Sequence, residues 1–295
     1  MGKAIENDMI LISKGVFTIG PILLPSNDDS PPKAAVNTSS EIMTLVTKKV
    51  QLTRDFHIGK YPVTQELWES IKEKNPSFFK SPKNPVERVN WFDCILFCNE
   101  LSEKEGLESV YTIPAKILDL MKRRSKFAEL YELSQTITQD LDANGYRLPT
   151  EVEWECAAQG LSSDSEEMRT SYSGSDNPEE VSWNIGNSGN TTQPVGQKAP
   201  NAFGLYDMSG NVSEWCWDCY DITLPDDNIP KHVITDSEIV DVNPLGTSNS
   251  YERIRRGGSY QLLASSSIIV RRFYIDPDYR DNDMGFRLVR TNIEE

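Results

Sequence analysis

Five residue types are missing from one stretch of the chain near its C-terminus. None of the 22 residues from Leu262 to Asp283 is Lys, Glu, Gln, Met or Trp, although Lys and Glu are plentiful elsewhere. The sequence also lacks any apolar run approaching the roughly 20 residues that cross a bilayer, which argues against a transmembrane helix. Its first residues contain no secretory apolar core, so we expect either a cytoplasmic protein or a mature chain whose export signal was removed.

Positive charge is scarce as well. The 295 residues carry a formal net charge of −15, which disfavours nucleic acids and anionic membranes as partners because both are bound through Lys and Arg. Short helical and strand patterns alternate with long polar loops, such as the Pro-, Asp- and Ser-rich residues 25–40, without a repeat or a linker. This organisation favours one α+β domain spanning residues 1–295.

Histidine and cysteine are few. His57 and His232 are distant in sequence from Ser265–Ser267, and no nucleophile-elbow motif surrounds these serines, so a hydrolase is disfavoured. An odd count of five cysteines does not describe a disulfide scaffold. Buried structural thiols are the favoured interpretation for all of them: Cys94, Cys98, Cys156, Cys216 and Cys219.

Local patterns predict several elements. Val50–Ile58 alternates like a strand, Thr64 caps a helix, and Pro149-Thr150 marks the start of another helix. The apolar spacing from about residue 115 to residue 140 predicts an amphipathic helix or helix pair packed on the core.

Two rigid ends bracket the stretch of restricted composition. Arg256-Gly257-Gly258-Ser259-Tyr260 predicts a strand entering a glycine turn, since paired glycines permit positive φ and close backbone approach. Gly285-Phe-Arg-Leu-Val-Arg290 alternates apolar and basic residues, the period of a half-buried strand.

Five motifs occur in the same order and rough spacing as in a known family. They are Pro85-Val…Val89-Asn-Trp-Phe-Asp93, Tyr146-Arg-Leu-Pro-Thr-Glu-Val-Glu-Trp154, Pro194-Val-Gly…Gly-Asn-Val-Ser-Glu-Trp215, Arg256-Gly-Gly-Ser-Tyr260 and Gly285-Phe-Arg287. Together they resemble the formylglycine-generating-enzyme (sulfatase-modifying-factor) family over nearly the whole chain. The resemblance implies a C-type-lectin-like α+β fold with much ordered loop, in which residues 115–140 are a helical insertion.

The resemblance also implies where catalytic residues would lie. Family enzymes bind copper(I) through two cysteines after Arg-Gly-Gly-Ser, and these places fall near Leu262 and Ser267. Neither residue is a thiol, and no cysteine lies beyond Cys219. Since copper(I) is held by soft thiolates, we expect no catalytic residues and no required cofactor.

A structural calcium is the second implication of the resemblance. The matching positions are Gly210 and Val212 through their carbonyls and Asn211 and Glu214 through their side chains. Oxygen ligands of this kind suit calcium. The alternative is a turn stabilised by Asn211 without any metal.

The restricted composition of residues 262–283 has a candidate explanation. Some bacterial and phage proteins with this fold carry a C-terminal segment diversified by a retroelement that mutates template adenines. Substitution at the first two bases of an asparagine codon never yields the five missing residue types. The alternative is chance in a short window. Under diversification, residues 261–283 form a ligand-binding segment.

The aromatic, guanidinium and small polar side chains of that segment suit a binding surface. The predicted ligand-binding residues are Leu262, Leu263, Ser265, Ser266, Arg271, Phe273, Tyr274, Asp276, Tyr279, Asp281, Asn282 and Asp283.

Two functions therefore compete. The first is a non-catalytic receptor- or adhesin-like protein that binds a protein or glycan ligand through its C-terminal face. We expect such a protein to be a monomer, exported and lipid-anchored at the cell surface, with a cytoplasmic location as the alternative. The second is a formylglycine-generating-type oxidase that acts on a sulfatase cysteine through unrecognised ligands.

Overall fold

The computed structural model describes residue 5 and residues 7–20, 48–123, 134–163, 165, 169–220, 240–246 and 250–292. The predicted loop at residues 25–40 lies outside the described residues. The helices are short and are separated by long loops. They are α1 (Gln65–Glu69), α2 (Trp91–Glu105), α3 (Ala115–Arg123), α4 (Glu151–Gln159) and α5 (Pro178–Val181).

The strands are short as well, most of them two to five residues long. In chain order they are β1 (Met9–Ile12), β2 (Gly15–Ile19), β3 (Lys48–Leu52), β4 (Phe56–Gly59), β5 (Tyr111–Thr112), β6 (Thr138–Gln139), β7 (Tyr146–Arg147), β8 (Ser182–Trp183), β9 (Ser209–Gly210), β10 (Ser213–Cys219), β11 (Val240–Val242), β12 (Arg253–Arg256), β13 (Arg272–Ile275), β14 (Met284–Phe286) and β15 (Val289–Thr291).

The predicted helix starts are confirmed by their caps. Thr64 precedes α1, and its Oγ1 accepts a hydrogen bond from the Leu67 N–H at 3.3 Å. Thr150 precedes α4 in a capping box with Glu153, because each side chain accepts from the backbone N–H of the other. These bonds satisfy N–H groups that have no partner within the helix.

Three of the sheets contain three or four strands. Their orders are β1-β4-β15-β7, β13-β12-β10-β14 and β11-β3-β2. The single strand predicted over Val50–Ile58 is therefore two strands in different sheets. The break between them includes Asp55, whose carboxylate accepts the Lys14 N–H at 2.7 Å.

The predicted helical insertion is only partly helical. The helix α3 is described over Ala115–Arg123, residues 124–133 lie outside the described residues, Ser134 is again helical, and β6 pairs antiparallel with β5. The prediction was wrong at its end, where Thr136-Ile-Thr138 supplies β-branched residues that suit a strand.

The C-terminal strand prediction is also corrected. Residues 285–290 run from the end of β14 to the start of β15, two strands of different sheets, and Arg287 in the connection between them is fully buried. An alternating pattern predicts solvent on the basic face. Here Arg287 instead faces a buried carboxylate, that of Glu214.

The strand β10 lies between the two halves of the core. Its Trp215 packs in the apolar cluster around α2, and the next residue, Cys216, packs in the cluster around α4. Both residues are fully buried. The partners of this strand, β12 and β14, therefore hold the ends of the C-terminal segment against the centre of the fold.

Candidate functional site

The segment of residues 261–283 begins and ends beside the same residue of β10. Glu214 is paired with Arg256 of β12 on one side and with Gly285 of β14 on the other. The predicted turn after Arg256 is confirmed, with φ of 89° at Gly257 and 69° at Gly258. A Cβ on Gly258 would lie 2.4 Å from the Ser267 hydroxyl oxygen, so the turn packs closely against the segment that follows.

Within the segment, a short 3₁₀ helix over Ala264–Ser267 precedes β13. This strand pairs antiparallel with β12 and is at the edge of its sheet. An edge strand leaves one row of backbone groups available to a partner. Among the described residues, β13 is thus paired with another strand on one side only.

Side chains of β13 alternate between two environments. Arg272 and Tyr274 face α4: the Arg272 guanidinium is paired with both Glu151 oxygens, at 2.6 and 2.7 Å. The Tyr274 ring stacks on Tyr220 with centroids 3.7 Å apart. Of the predicted ligand-binding residues, Tyr274 is therefore turned towards the core.

Phe273 lies on the opposite face of β13. It is directly across from Arg255 of β12, whose guanidinium carbon is 5.1 Å from the centroid of the ring. The guanidinium carbon of Arg271 is 5.3 Å from the same centroid. Both distances allow cation–π attraction.

The end of the segment is tied to the loop before α2 through backbone groups. The carbonyl of Pro277 accepts the Trp91 N–H at 3.0 Å, and that of Asp281 accepts the Arg88 N–H at 2.9 Å. Tyr279 is 43% exposed, and its hydroxyl donates to the Asp281 carboxylate at 3.1 Å. Because backbone bonds hold this turn, its side chains can change without loss of the attachment.

Most predicted ligand-binding residues are at least partly accessible. Leu263 and Tyr279 are exposed, and the half-buried ones are Leu262, Ser265, Ser266, Arg271, Phe273, Tyr274, Asp276, Asp281 and Asn282. Asp283 is a correction, since it is only 2% exposed and its Oδ2 accepts the Ser259 hydroxyl at 2.8 Å. It supports the turn rather than facing a ligand.

Three residues outside the segment lie beside it or are linked to Tyr260 at its start, and sequence reasoning missed them. The Ile185 side chain is 51% exposed, and its N–H donates to the Leu262 carbonyl at 2.9 Å. Phe78 is 60% exposed and packs edge-on against Phe79, which packs on Tyr260. Arg255 is the third. No local pattern signals these neighbours, because distant parts of the chain bring them together.

Glu87 is a buried acid beside this surface. One carboxylate oxygen accepts the Phe79 N–H at 2.7 Å, and the other has no hydrogen-bond partner among the described residues. Burial raises the pKa of Glu87 to about 7. Burial and the nearby Asp283 and Glu87 carboxylates also raise the pKa of Tyr260.

The two places of the family's copper ligands hold no thiol. Leu262 is half-buried, and Ser267 is fully buried with a hydroxyl that has no partner among the described residues. The five cysteines are buried and unpaired elsewhere in the fold. Burial raises the pKa of all five thiols, and those of Cys94, Cys156 and Cys216 well above the ordinary value, so the thiolate forms are disfavoured.

The predicted calcium ligands already have protein partners. Both Glu214 oxygens accept from Arg287, and Oε2 also accepts from the Trp154 indole at 2.8 Å. The Asn211 side chain exchanges two hydrogen bonds of 3.0 Å with the backbone of Gln193.

No group of three or more His, Cys, Asp or Glu side chains that could hold a metal ion occurs in the part of the chain that the structure describes. With Glu214 neutralised by a guanidinium, the residues fit the metal-free turn better than an oxygen cage. Calcium at Gly210, Asn211, Val212 and Glu214 stays the alternative to that metal-free turn.

Several known proteins are similar to this chain. Treponema denticola variable protein 1 superposes with a TM-score of 0.72 at 30% identity, over 96% of this chain and 95% of its own. The chaperone protein LppX of Paenibacillus barcinonensis is 37% identical over 261 residues, which are 83% of this chain and 82% of its own length. The formylglycine-generating enzyme of Thermomonospora curvata is 34% identical over 158 residues, 48% of each chain.

These similarities confirm the predicted α+β fold of the C-type-lectin-like, formylglycine-generating-enzyme type. Within the described residues, no helix is long and apolar enough to cross a membrane. The sequence model of the sulfatase-modifying factor enzyme 1-like domain matches residues 2–292. The chain therefore belongs to the sulfatase-modifying factor enzyme 1-like family.

Proposed function

We propose that this protein is a non-catalytic, ligand-binding protein whose residues 261–283 form a receptor surface diversified by a retroelement. The observation that carries the proposal is the attachment of the segment. Its two ends are clamped beside Glu214, while most of its side chains remain half-buried or exposed. Such a division lets the sequence of the surface vary while the frame stays constant.

Two further observations support the proposal. The places of the copper ligands, Leu262 and Ser267, lie inside the same segment and cannot hold copper(I). The similarity to a variable protein extends over nearly the whole chain. A formylglycine-generating-type oxidase remains the alternative, and it would need metal ligands other than these two residues.

A diversified receptor acts where foreign surfaces are met. We therefore propose that the protein is exported, lipid-anchored and monomeric at the cell surface, with a cytoplasmic protein as the alternative. Its ligand is a protein or a glycan.

The experiment is a binding screen of cell-surface extracts followed by affinity measurement with the isolated ligand. Because loss of an anchoring aromatic costs about 2 kcal/mol or more of binding, Phe273→Ala and Tyr279→Ala should weaken the complex at least about thirtyfold. Val16→Ala, at an exposed site on β2, is the control and should bind like the wild type. Equal affinities of all variants would sink the proposal. An adenine-rich near-copy of the segment and a reverse-transcriptase gene beside this gene would support the diversification.

A second candidate is binding of a client protein during its folding. The observation in its favour is the 37% identity to a protein named a chaperone. The test is the refolding yield of a denatured protein encoded beside this gene, with and without an equimolar amount of this chain. An unchanged yield would remove this candidate and leave the receptor proposal intact.

A further inference from the structure

Two arginines share one aromatic ring on the ligand-binding segment. The guanidinium carbons of Arg255 and Arg271 are 5.1 and 5.3 Å from the centroid of Phe273. A guanidinium held over a ring keeps N–H donors around its edge, and those donors can receive a further ligand. The pair therefore presents hydrogen-bond donors next to Phe273, a half-buried aromatic side chain of the segment.

Neither guanidinium has a close carboxylate partner among the described residues. The nearest to Arg255 is Asp283 Oδ2 at 3.8 Å, and that oxygen already accepts the Ser259 hydroxyl at 2.8 Å. The Arg255 Nε is buried and has no hydrogen-bond partner in the part of the chain that the structure describes. Within the described residues, the Arg271 guanidinium has one side-chain interaction, the cation–π contact with Phe273.

Two arginines of the segment differ from this pair in having close carboxylate partners. Arg272 is held by both oxygens of Glu151, and Arg280 by Asp93 with a closest distance of 2.7 Å. Their donors are used inside the protein, so they are poorly available to a ligand. A buried guanidinium donor without a partner is costly, and a bound anion would remove that cost.

The geometry points to Arg255 and Arg271 as a pair that binds a carboxylate of an acidic peptide segment. This inference rests on the proposed ligand-binding function and names the chemical class of its ligand. A carboxylate matches the fork of a guanidinium with two parallel hydrogen bonds. The protein carries a net charge of −15, which gives an acidic peptide no long-range attraction. Selectivity for an acidic peptide would therefore come from local cations such as Arg255 and Arg271.

Exposed apolar side chains of the segment and of the chain beside it favour a peptide over an acidic sugar. Leu263 is 49% exposed, Ile185, which is hydrogen-bonded to Leu262, is 51% exposed, and Phe78, which is linked through Phe79 to Tyr260, is 60% exposed. Together with Tyr279 they offer surface that aliphatic or aromatic side chains of a peptide would cover. A saccharide has fewer apolar groups to place there.

The test uses a phage-displayed library of random dodecapeptides selected on the immobilised full chain. We expect the selected peptides to contain Asp and Glu above their frequency in the input library. The affinity of Arg271→Gln for a synthetic copy of a selected peptide should be at least about tenfold lower than that of the wild type, because hydrogen bonds to charged groups contribute about 1.5–3 kcal/mol. Arg255→Gln should weaken binding of the peptide to a similar extent. If the Arg255 variant unfolds because its site is more buried, Arg271→Gln at its half-buried site still tests the inference.

The matched control is Arg280→Gln, which removes the same charge from the same segment. Its guanidinium is paired with Asp93 and exposed, so binding of the peptide should change by no more than about fivefold. Peptides that depend on Phe273 but are not enriched in acids would overturn this inference and leave the proposed function standing. An equal loss in Arg280→Gln would do the same.

Two other outcomes are distinct. If no selected peptide depends on Phe273 or Tyr279, peptide binding by the segment is refuted, and the inference is refuted with it. If a uronic-acid oligosaccharide on a glycan array binds in an Arg271-dependent manner and no peptide does, the pair belongs to an acidic-sugar site, which overturns the peptide assignment while the receptor function stands.

Discussion

The Arg287 guanidinium lies against the Glu214 carboxylate, with Nη2 2.8 Å from Oε1 and Nε 3.1 Å from Oε2. Both side chains are at most 1% exposed. Two further Arg287 donors reach the carbonyls of Gly59 and Tyr206, each at 2.7 Å. The pair therefore joins β4, β10 and the connection between β14 and β15 at the base of the proposed ligand-binding segment.

Removal of one partner should be severely destabilising. Glu214→Gln leaves the Arg287 charge buried without a counter-ion, which costs about 3–5 kcal/mol. We expect a large loss in the free energy of unfolding measured by urea titration. Asp142→Asn, which breaks the exposed pair with Arg54, should cost about 1 kcal/mol or less. Similar effects of the two substitutions would contradict the structural role of the buried pair.

Chelation of calcium should leave the melting temperature of the wild type unchanged. The reason is that the Glu214 and Asn211 side chains already have protein partners. If calcium is nevertheless bound, its removal from a site held at about 100 times the dissociation constant would cost about 2.7 kcal/mol. The measurement is a melting curve with and without a chelator. A clear fall that Asn211→Ala abolishes would establish the calcium site.

Substitutions within the segment should divide according to the faces of β13. Tyr279→Ala should melt near the wild type, because surface substitutions usually change stability by less than about 0.5 kcal/mol. Phe273→Ala should lose at most about 1–2 kcal/mol, since it gives up its contacts with Arg255 and Arg271. Tyr274→Ala should be less stable, since it loses the stacking on Tyr220 that contributes about 0.5–1.5 kcal/mol beyond buried area. Phe286→Ala, in the core, should cost about 3–5 kcal/mol.

Melting curves of these four variants decide between a surface and a core. If Phe273→Ala and Tyr279→Ala unfold as readily as Phe286→Ala, the segment is part of the core. The diversified-receptor proposal would then fail, because a diversified surface must tolerate change.

Aldehyde formation should be absent. Leu262 and Ser267 supply no thiolate, so a sulfatase-type cysteine peptide incubated with the protein and copper(I) should stay unmodified. The measurement is the mass of the peptide, with the formylglycine-generating enzyme of Thermomonospora curvata as the positive control. Formylglycine above the level without protein would revive the oxidase alternative.

Stability should rise as the pH falls from about 8 to about 5. Burial raises the folded-state pKa of Glu87 to about 7, from an ordinary 4.5. The folded state therefore binds more protons than the unfolded state between these values, and stability is lost as the pH rises through about 7. Buried Asp218, with a pKa of about 7, contributes in the same direction.

The check is the pH dependence of the melting temperature in two variants. Glu87→Gln should have a flatter profile and exceed the wild type in stability at pH 8, since its neutral amide still accepts from the Phe79 N–H. Glu108→Gln, at an exposed site, should follow the wild type. A Glu87→Gln profile as steep as that of the wild type would show that this carboxyl is not responsible.

Local chemistry explains which parts of the fold could be predicted from the sequence. Thr64 and Thr150 each cap a helix through a hydrogen bond to a residue three positions later, so both caps could be predicted. The turn after Arg256 depends on two adjacent glycines and could be predicted as well. The motifs shared with the family supplied the fold as a whole. Diversification of the segment is a compositional prediction that contacts within the protein do not test.

The predictions that failed depend on distant contacts. Arg287 follows a pattern that suggests solvent exposure, but its burial is stabilised by Glu214, which is 73 residues away in sequence. Asp283 was assigned to the surface by composition, whereas the hydroxyl of Ser259 holds it inside. Tyr274 differs from Phe273 only in the direction it faces on β13, which depends on the pairing with β12.

The attachment of the segment on both sides of Glu214 has a consequence for protein engineering. Its entry and exit strands are separated by two interstrand spacings, about 10 Å, whatever lies between them. An inserted loop of any sequence meets the same two fixed ends, and doubling its length adds only about 0.6 kcal/mol of closure entropy. This frame is therefore suited to carry grafted loops longer than its own, in the way that antibody frameworks carry theirs.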